Sequence, residues 1–148
     1  MPSYAKNPQA LRDFEILERF EAGVMLLGHE VKSIKTGKGS IRGTFIKAVD
    51  NELWLIGATI PPYQPQNITN AYDAQRSRKL LLRAQELNRL VGRAQEAGMS
   101  IVPLSLYSKR GLIKLEIGLG RGKKKHDKRE AIKKREAERT IRQTVEID

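Results

Sequence analysis

The stretch Ile101-Val102-Pro103-Leu104-Ser105-Leu106-Tyr107-Ser108-Lys109-Arg110-Gly111-Leu112-Ile113-Lys114-Leu115-Glu116-Ile117-Gly118-Leu119 reads as two β-strands and the polar turn that joins them. In its second half Ile113, Leu115, Ile117 and Leu119 fall on one face, and Lys114 and Glu116 on the other. That period of two is what a strand with one buried face requires. Upstream, Phe14, Ile16 and Phe20 share a face and Glu15, Arg19 and Glu21 share the other, which predicts a strand over 13–27. Ala22-Gly23 interrupts it, as a bulge or as a turn into a further short strand at 24–27. Two more strands are expected at 41–49 and 53–60. Asp50-Asn51 lies between them, and both residue types tolerate the positive φ of a tight hairpin. Pro61-Pro62-Tyr63-Gln64-Pro65-Gln66-Asn67 suits neither helix nor strand and reads as a stiff loop leading out of the sheet.

Two segments have a helical period. Val31 and Ile34 lie three apart between Gly28 and the stop signal Gly37, which predicts a short helix across the end of the sheet. From Ser77 to Ala97, Leu80, Ala84, Leu87, Val91 and Ala94 recur every three or four residues with Gly98 just beyond, predicting the longest helix. Arg76, Arg78, Lys79, Arg83, Arg89 and Arg93 lie off that stripe, either as solvated charges or as a binding face. Residues 1–12 carry Pro2 and Pro8 and no sustained pattern, so they read as a loose N-terminal arm. Short strands in hairpin order with added helices predict a mainly β fold, an OB-like closed antiparallel β-barrel over 13–120.

The remaining segment, 121–148, is of another kind. From Arg121 to Arg142 there are eleven Lys/Arg and four Asp/Glu, a surplus of seven in a chain whose net charge is +11. Glu130 and Lys134, and Glu138 and Arg142, are acid-before-base pairs four apart, as on a helix face, yet Ile132, Ala137 and Ile141 make only a thin apolar stripe. A helix so polar is marginal alone in water, so the expectation is a flexible basic tail that orders on an anionic partner. The bland alternative is a solvated tail that aids solubility.

The charge balance points to a polyanion: nucleic acid, an acidic membrane surface or an acidic protein. No run of eighteen apolar residues and no signal-peptide pattern is present, which predicts a soluble cytoplasmic protein with no membrane partner. With no cysteine and two histidines, disulfides, thiolate zinc sites and cysteine nucleophiles drop out, and no metal or other cofactor is expected. Glu30-Val31-Lys32 has the E-x-K form of metal-dependent nucleases but no clear partner carboxylates; as a binding pair, Glu30 and Lys32 would offer a carboxylate to RNA donors and an ammonium to phosphate. Gly37-Lys38-Gly39-Ser40 lacks the spacing of a phosphate loop and reads as turn glycine. His126 stands among lysines, either to stack on a base or as a solvated side chain.

Four stretches, Phe20-Glu21-Ala22-Gly23, Gly28-His29-Glu30-Val31-Lys32-Ser33, Arg78-Lys79-Leu80-Leu81-Leu82 and Gly120-Arg121-Gly122-Lys123-Lys124-Lys125-His126-Asp127-Lys128-Arg129, together resemble the SmpB family, over nearly the whole chain. The resemblance implies a non-enzymatic adaptor whose OB-type barrel binds the tRNA-like domain of transfer-messenger RNA (tmRNA). It also implies entry into stalled ribosomes for trans-translation, with elongation factor Tu in the delivery complex and a monomeric free protein. It implies RNA contact by Glu30, Leu81, Arg83 and Lys114. In the tail, Lys123, Lys124, Lys125, His126, Asp127, Lys128 and Arg129 would meet the decoding centre, and Lys133, Lys134 and Arg135 would continue along the vacant mRNA channel. Arg83, Ser108 and Ser40 depart from residues common in relatives, which touches contact detail rather than the tail. Without the resemblance, a structural ribosome-bound protein with an OB barrel and a basic extension fits the same composition.

Overall fold

The structure, a computed structural model, describes residues 3–63 and 71–123. Its strands are β1 (Ser3–Lys6), β2 (Phe14–Val24), β3 (Phe45–Val49), β4 (Glu52–Ile56), β5 (Arg78–Leu81), β6 (Met99–Lys109) and β7 (Leu112–Gly122). Three helices, α1 (Pro8–Asp13), α2 (Gly28–Lys35) and α3 (Ala84–Ala94), lie between them. The strands form one antiparallel sheet in the order β1-β6-β7-β2-β5-β4-β3.

The β6–β7 hairpin forms as its alternation predicts. Its turn is Arg110-Gly111, at φ 53° and 81°, closed by Lys109 opposite Leu112. Asp50 and Asn51 turn the β3–β4 hairpin at φ 50° and 61°, the positive values that a two-residue turn needs to match strand twist.

The expected closed barrel is not what forms. Among the described residues no ladder joins β1 to β3, so the sheet is open in its hydrogen bonding. The reason lies in β6: β3 comes back against it, but β1 and β7 already occupy both of its edges. The N-terminal segment, expected to be loose, supplies β1 and α1. A depression of about 420 Å³, lined in part by Tyr4, Lys6, Ser40 and Arg42, remains where β1 faces the approach to β3.

Several boundaries also move. The helix expected over 77–97 begins only at Ala84, because Arg78–Leu81 is drawn into the sheet between β2 and β4. The strand expected at 41–49 starts at Phe45, after a turn in which Thr44 donates back to the Ile41 carbonyl, and no second strand forms at 24–27. Pro61 to Tyr63 carry no helix or strand; the rest of the predicted stiff loop lies outside the described residues, as does the tail from 124 onward.

The core occupies the concave face. Leu53, Leu55, Leu80, Leu115, Ile117 and Leu119 line it, with Ile34 of α2 and Leu90 of α3 among the residues packed there. Phe14 and Ile16 do not join this core, although their spacing from Phe20 puts all three on one face of a regular strand. An irregularity in the β2–β7 pairing between Ile16 and Glu18 shifts the alternation. Phe20 stays with the main core, while Phe14 and Ile16 pack with Val102, Leu104 and Ala10 of α1 in a second cluster. A matching break between Pro103 and Ser105 in β6 lets Leu104 join that second cluster and Leu106 the first. Thus α1 covers one end of the convex face and, among the described residues, no helix covers the other.

Candidate nucleic-acid interface

Beyond α1, the convex face carries a polar belt. Arg19 donates to Glu116, and Tyr107 and Lys109 both donate to Glu21. Burial and the Glu21 carboxylate push the Tyr107 phenol far above its usual pKa, and the Tyr107 hydroxyl in turn holds the Glu21 carboxyl below its ordinary range. Tyr107 is therefore a fixed donor rather than a titrating group.

The next row joins two of the sequence-predicted residues. Gly23 of β2 pairs with Leu81 of β5 on one side and Lys114 of β7 on the other. Having no side chain, Gly23 leaves a shallow floor; a Cβ there would lie 3.4 Å from that of Leu81. Leu81 is a large apolar side chain left 48% exposed, and Lys114, half-buried, stands across Gly23 from it. An apolar surface with an ammonium at its edge can hold a ribose or base edge while the charge meets a phosphate. Arg83, two residues past Leu81, is exposed at the N-cap of α3.

Glu30 is placed differently from expectation. It occupies the third position of α2, where its carboxylate accepts from the Leu27 N–H at 2.7 Å and so caps the helix. The same carboxylate accepts from Tyr72 at 2.9 Å, from Arg76 and from Arg78, with no exposed surface left. Burial pushes the carboxyl up, but the donors Arg76, Leu27, Arg78 and Tyr72 outweigh it and hold the pKa at about 2, against an ordinary 4.5. Lys32, two residues on and about 200° around the helix, is exposed. The Glu30-x-Lys32 spacing therefore does not make a joint acid–base site; Glu30 anchors the segment 72–78 instead.

Arg78 is the partner that sequence reasoning missed. Its place off the helical stripe suggests a solvated charge or a binding face, yet it is fully buried, with donor bonds to Glu30 and to the carbonyls of Ala58, Ala74 and Arg76. The signal for it in the sequence is the spacing Glu30, Ser33, Ile34, which puts the carboxylate on the inward face of α2 and calls for a buried cation. Around them His29 packs edge-on against Tyr72, ring centroids 4.5 Å apart. Lys123 lies nine residues past Lys114, about 30 Å along the chain if extended. Its ammonium donates to the Leu11 carbonyl at 2.8 Å. Lys124, Lys125, His126, Asp127, Lys128, Arg129, Lys133, Lys134 and Arg135 lie outside the described residues.

An antiparallel sheet with one face filled by core, and the other partly bare, apolar and basic, defines a small β-sheet nucleic-acid-binding protein. A family model described as "SmpB protein" matches residues 4–147. The chain belongs to the SmpB family. It is 45% identical over 139 residues to an SsrA-binding protein of Trichormus variabilis, covering 94% of this chain and 90% of that one. It is 46% identical over 143 residues to one from Thermosynechococcus vestitus, covering 94% of each. A chain from a solved structure described as "tmRNA-SmpB: a journey to the center of the bacterial ribosome" superposes with a TM-score of 0.66 at 44% identity, covering 83% of this chain and 86% of that one.

Proposed function

We propose that this chain is an RNA-binding adaptor, with no catalytic step of its own, that binds the tRNA-like domain of tmRNA and brings it to stalled ribosomes for trans-translation. The observation that carries this reading is the row Leu81–Gly23–Lys114, with Leu81 exposed, on a chain 45% identical to an SsrA-binding protein. Lys114, Leu81 and Arg83 supply direct contacts. Glu30 acts through the segment it anchors, in which Arg76 stays partly exposed. The tail beyond β7, which ends at Gly122, faces the ribosome, and the surplus charge of Lys123 to Arg135 suits the decoding centre and the vacant mRNA channel. Elongation factor Tu belongs to the delivery complex, the free protein is a monomer, and its working compartment is the cytoplasm.

The test is competition. Purified protein is titrated with the tRNA-like domain of tmRNA and with an ordinary tRNA at one fixed ionic strength, because the phosphate term varies with salt. Strong preference for the tmRNA domain is expected. Equal and weak binding to both would mean that charge alone drives association, and would overturn the reading.

A further inference from the structure

One row beyond Leu81 on the bare convex face, the ladder sets three side chains abreast: Lys47 of β3 is paired with Trp54 of β4, and Trp54 with Lys79 of β5. Register places all three on one face, since the flanking Leu53 and Leu55 point into the core, where they are 0% and 1% exposed. Trp54 therefore stands in the row between two lysines. Around it apolar side chains stand open among the charged ones: Phe45 is 43%, Val49 42% and Leu81 48% exposed. A depression of about 360 Å³, lined in part by Lys47, Trp54 and Glu52, lies over the row.

We propose that this row is a stacking platform for an unpaired RNA base, with Trp54 carrying the base and Lys47 and Lys79 its flanking phosphates. The inference rests on the RNA-binding reading above and extends the footprint from Leu81 and Lys114 to the far edge of the sheet. Three observations select RNA as the occupant. The platform is continuous with the Leu81–Gly23–Lys114 row, because Lys79 and Leu81 are alternate residues of one strand. The chain's net charge is +11, and Lys47 has no ion-pair partner among the described residues. A flat ring between cations binds a base by its π-face while the charges hold its phosphates, which an apolar patch alone does not provide. Glu52, 3.0 Å from Lys79, is part of the same device. Half-exposed, it orients the Lys79 ammonium and leaves a carboxylate oxygen for an exocyclic amino group or a 2′-hydroxyl.

The sequence provides its own probe, since Trp54 is the only tryptophan. The full chain is titrated with the tRNA-like domain of tmRNA. Indole emission and the anisotropy of a labelled copy of the RNA are followed in parallel, on wild type, Trp54→Leu and Lys47→Ala. The expected result is quenching that saturates together with the anisotropy. A loss of affinity of about tenfold is expected in Trp54→Leu, with a smaller loss and a shallower salt dependence in Lys47→Ala. Lys47 is exposed, so that variant keeps the test decisive if Trp54→Leu folds poorly. RNA that binds with unchanged indole emission and undiminished affinity for Lys47→Ala overturns the platform and leaves the patch to a protein partner. RNA that does not bind wild type at all overturns the functional reading, and the platform with it.

Discussion

Arg78 and Glu30 form an ion pair of 2.8 Å with neither side chain exposed, tying β5 to α2 across 48 residues of sequence. Two charges in a dry site hold together only because the remaining donors are also used: Arg78 on three backbone carbonyls, Glu30 on Leu27, Tyr72 and Arg76. Removing one partner leaves the other buried and uncompensated. Glu30→Gln is expected to lower the unfolding free energy by about 3 kcal/mol in urea titrations. Pairing it with Arg78→Met should recover a large part of that loss. A Glu30→Gln protein within about 0.5 kcal/mol of wild type would refute the anchoring role.

The same pair sets an acid limb to stability. The Glu30 carboxyl has a folded pKa of about 2 against an ordinary 4.5, so the unfolded chain takes up its proton first as pH falls. Its contribution is fully present above pH 4.5 and is lost as pH falls toward 2. Measured at pH 7 and pH 3, the stability difference between wild type and Glu30→Gln should shrink at the lower pH. A difference that stayed constant or grew would mean that the carboxylate is not the group that titrates.

The strands were legible where one face alone is buried: Ile113, Leu115, Ile117 and Leu119 enter the core as their alternation says. Sequence failed at three places, for three reasons. The break between Ile16 and Glu18 carries no glycine or proline signal; its mark in the sequence is Leu17-Glu18, apolar and acidic on the faces opposite to those that the spacing of Phe14, Ile16 and Phe20 assigns, and it moves Phe14 and Ile16 to a second cluster. Leu80 shares the helical period of Ala84, Leu87 and Val91, but the open edge between β2 and β4 captures Arg78 to Leu81 as strand. Barrel closure depends on which strand takes the last free edge of β6, a competition between β1 and β3 that no local pattern reports. At the proposed interface, Leu81 and Lys114 are named only by the family resemblance, and no pattern in the sequence joins them, since register alone brings them to either side of Gly23.

Gly118 tests the α1-covered end of the face. A Cβ there would lie 3.1 Å from two Ile16 side-chain carbons and 3.2 Å from Leu104 Cδ1. Gly118→Val is expected to overfill this cluster and to cost about 1–3 kcal/mol, read as a lowered Tm. Binding of the tmRNA domain, measured well below that Tm, should be unchanged, because the bare end of the sheet is not involved. A full loss of binding in a folded variant would extend the interface beneath α1.

Leu81 and Lys114 should separate affinity from stability. Leu81 is exposed, so Leu81→Ala should leave the unfolding free energy within about 0.5 kcal/mol while weakening tmRNA binding. Lys114→Ala should weaken binding about three- to tenfold and reduce the slope of log K against log salt by about one, the mark of a lost phosphate contact. Unchanged affinity in both variants would move the interface off this row.

The tail is best cut where the fold ends. Arg121 and Gly122 still pair with β6 and β2, and the Lys123 N–H donates to the Asp13 carbonyl at 3.0 Å. Truncation after Gly120 would strip those bonds and confuse folding with function. Truncation after Lys123 keeps every described strand pair and removes Lys124, Lys125, His126 and the charges beyond. With the Leu81–Gly23–Lys114 row intact, binding to the isolated tRNA-like domain is expected to stay within about threefold of wild type once the lost long-range charge is offset at physiological salt. Tagging on ribosomes stalled at the end of a truncated message should fall to background in the same preparation. Equal loss of both activities would place the tail in tmRNA recognition itself, and a tail-less protein that still tagged would remove the tail from ribosome sensing.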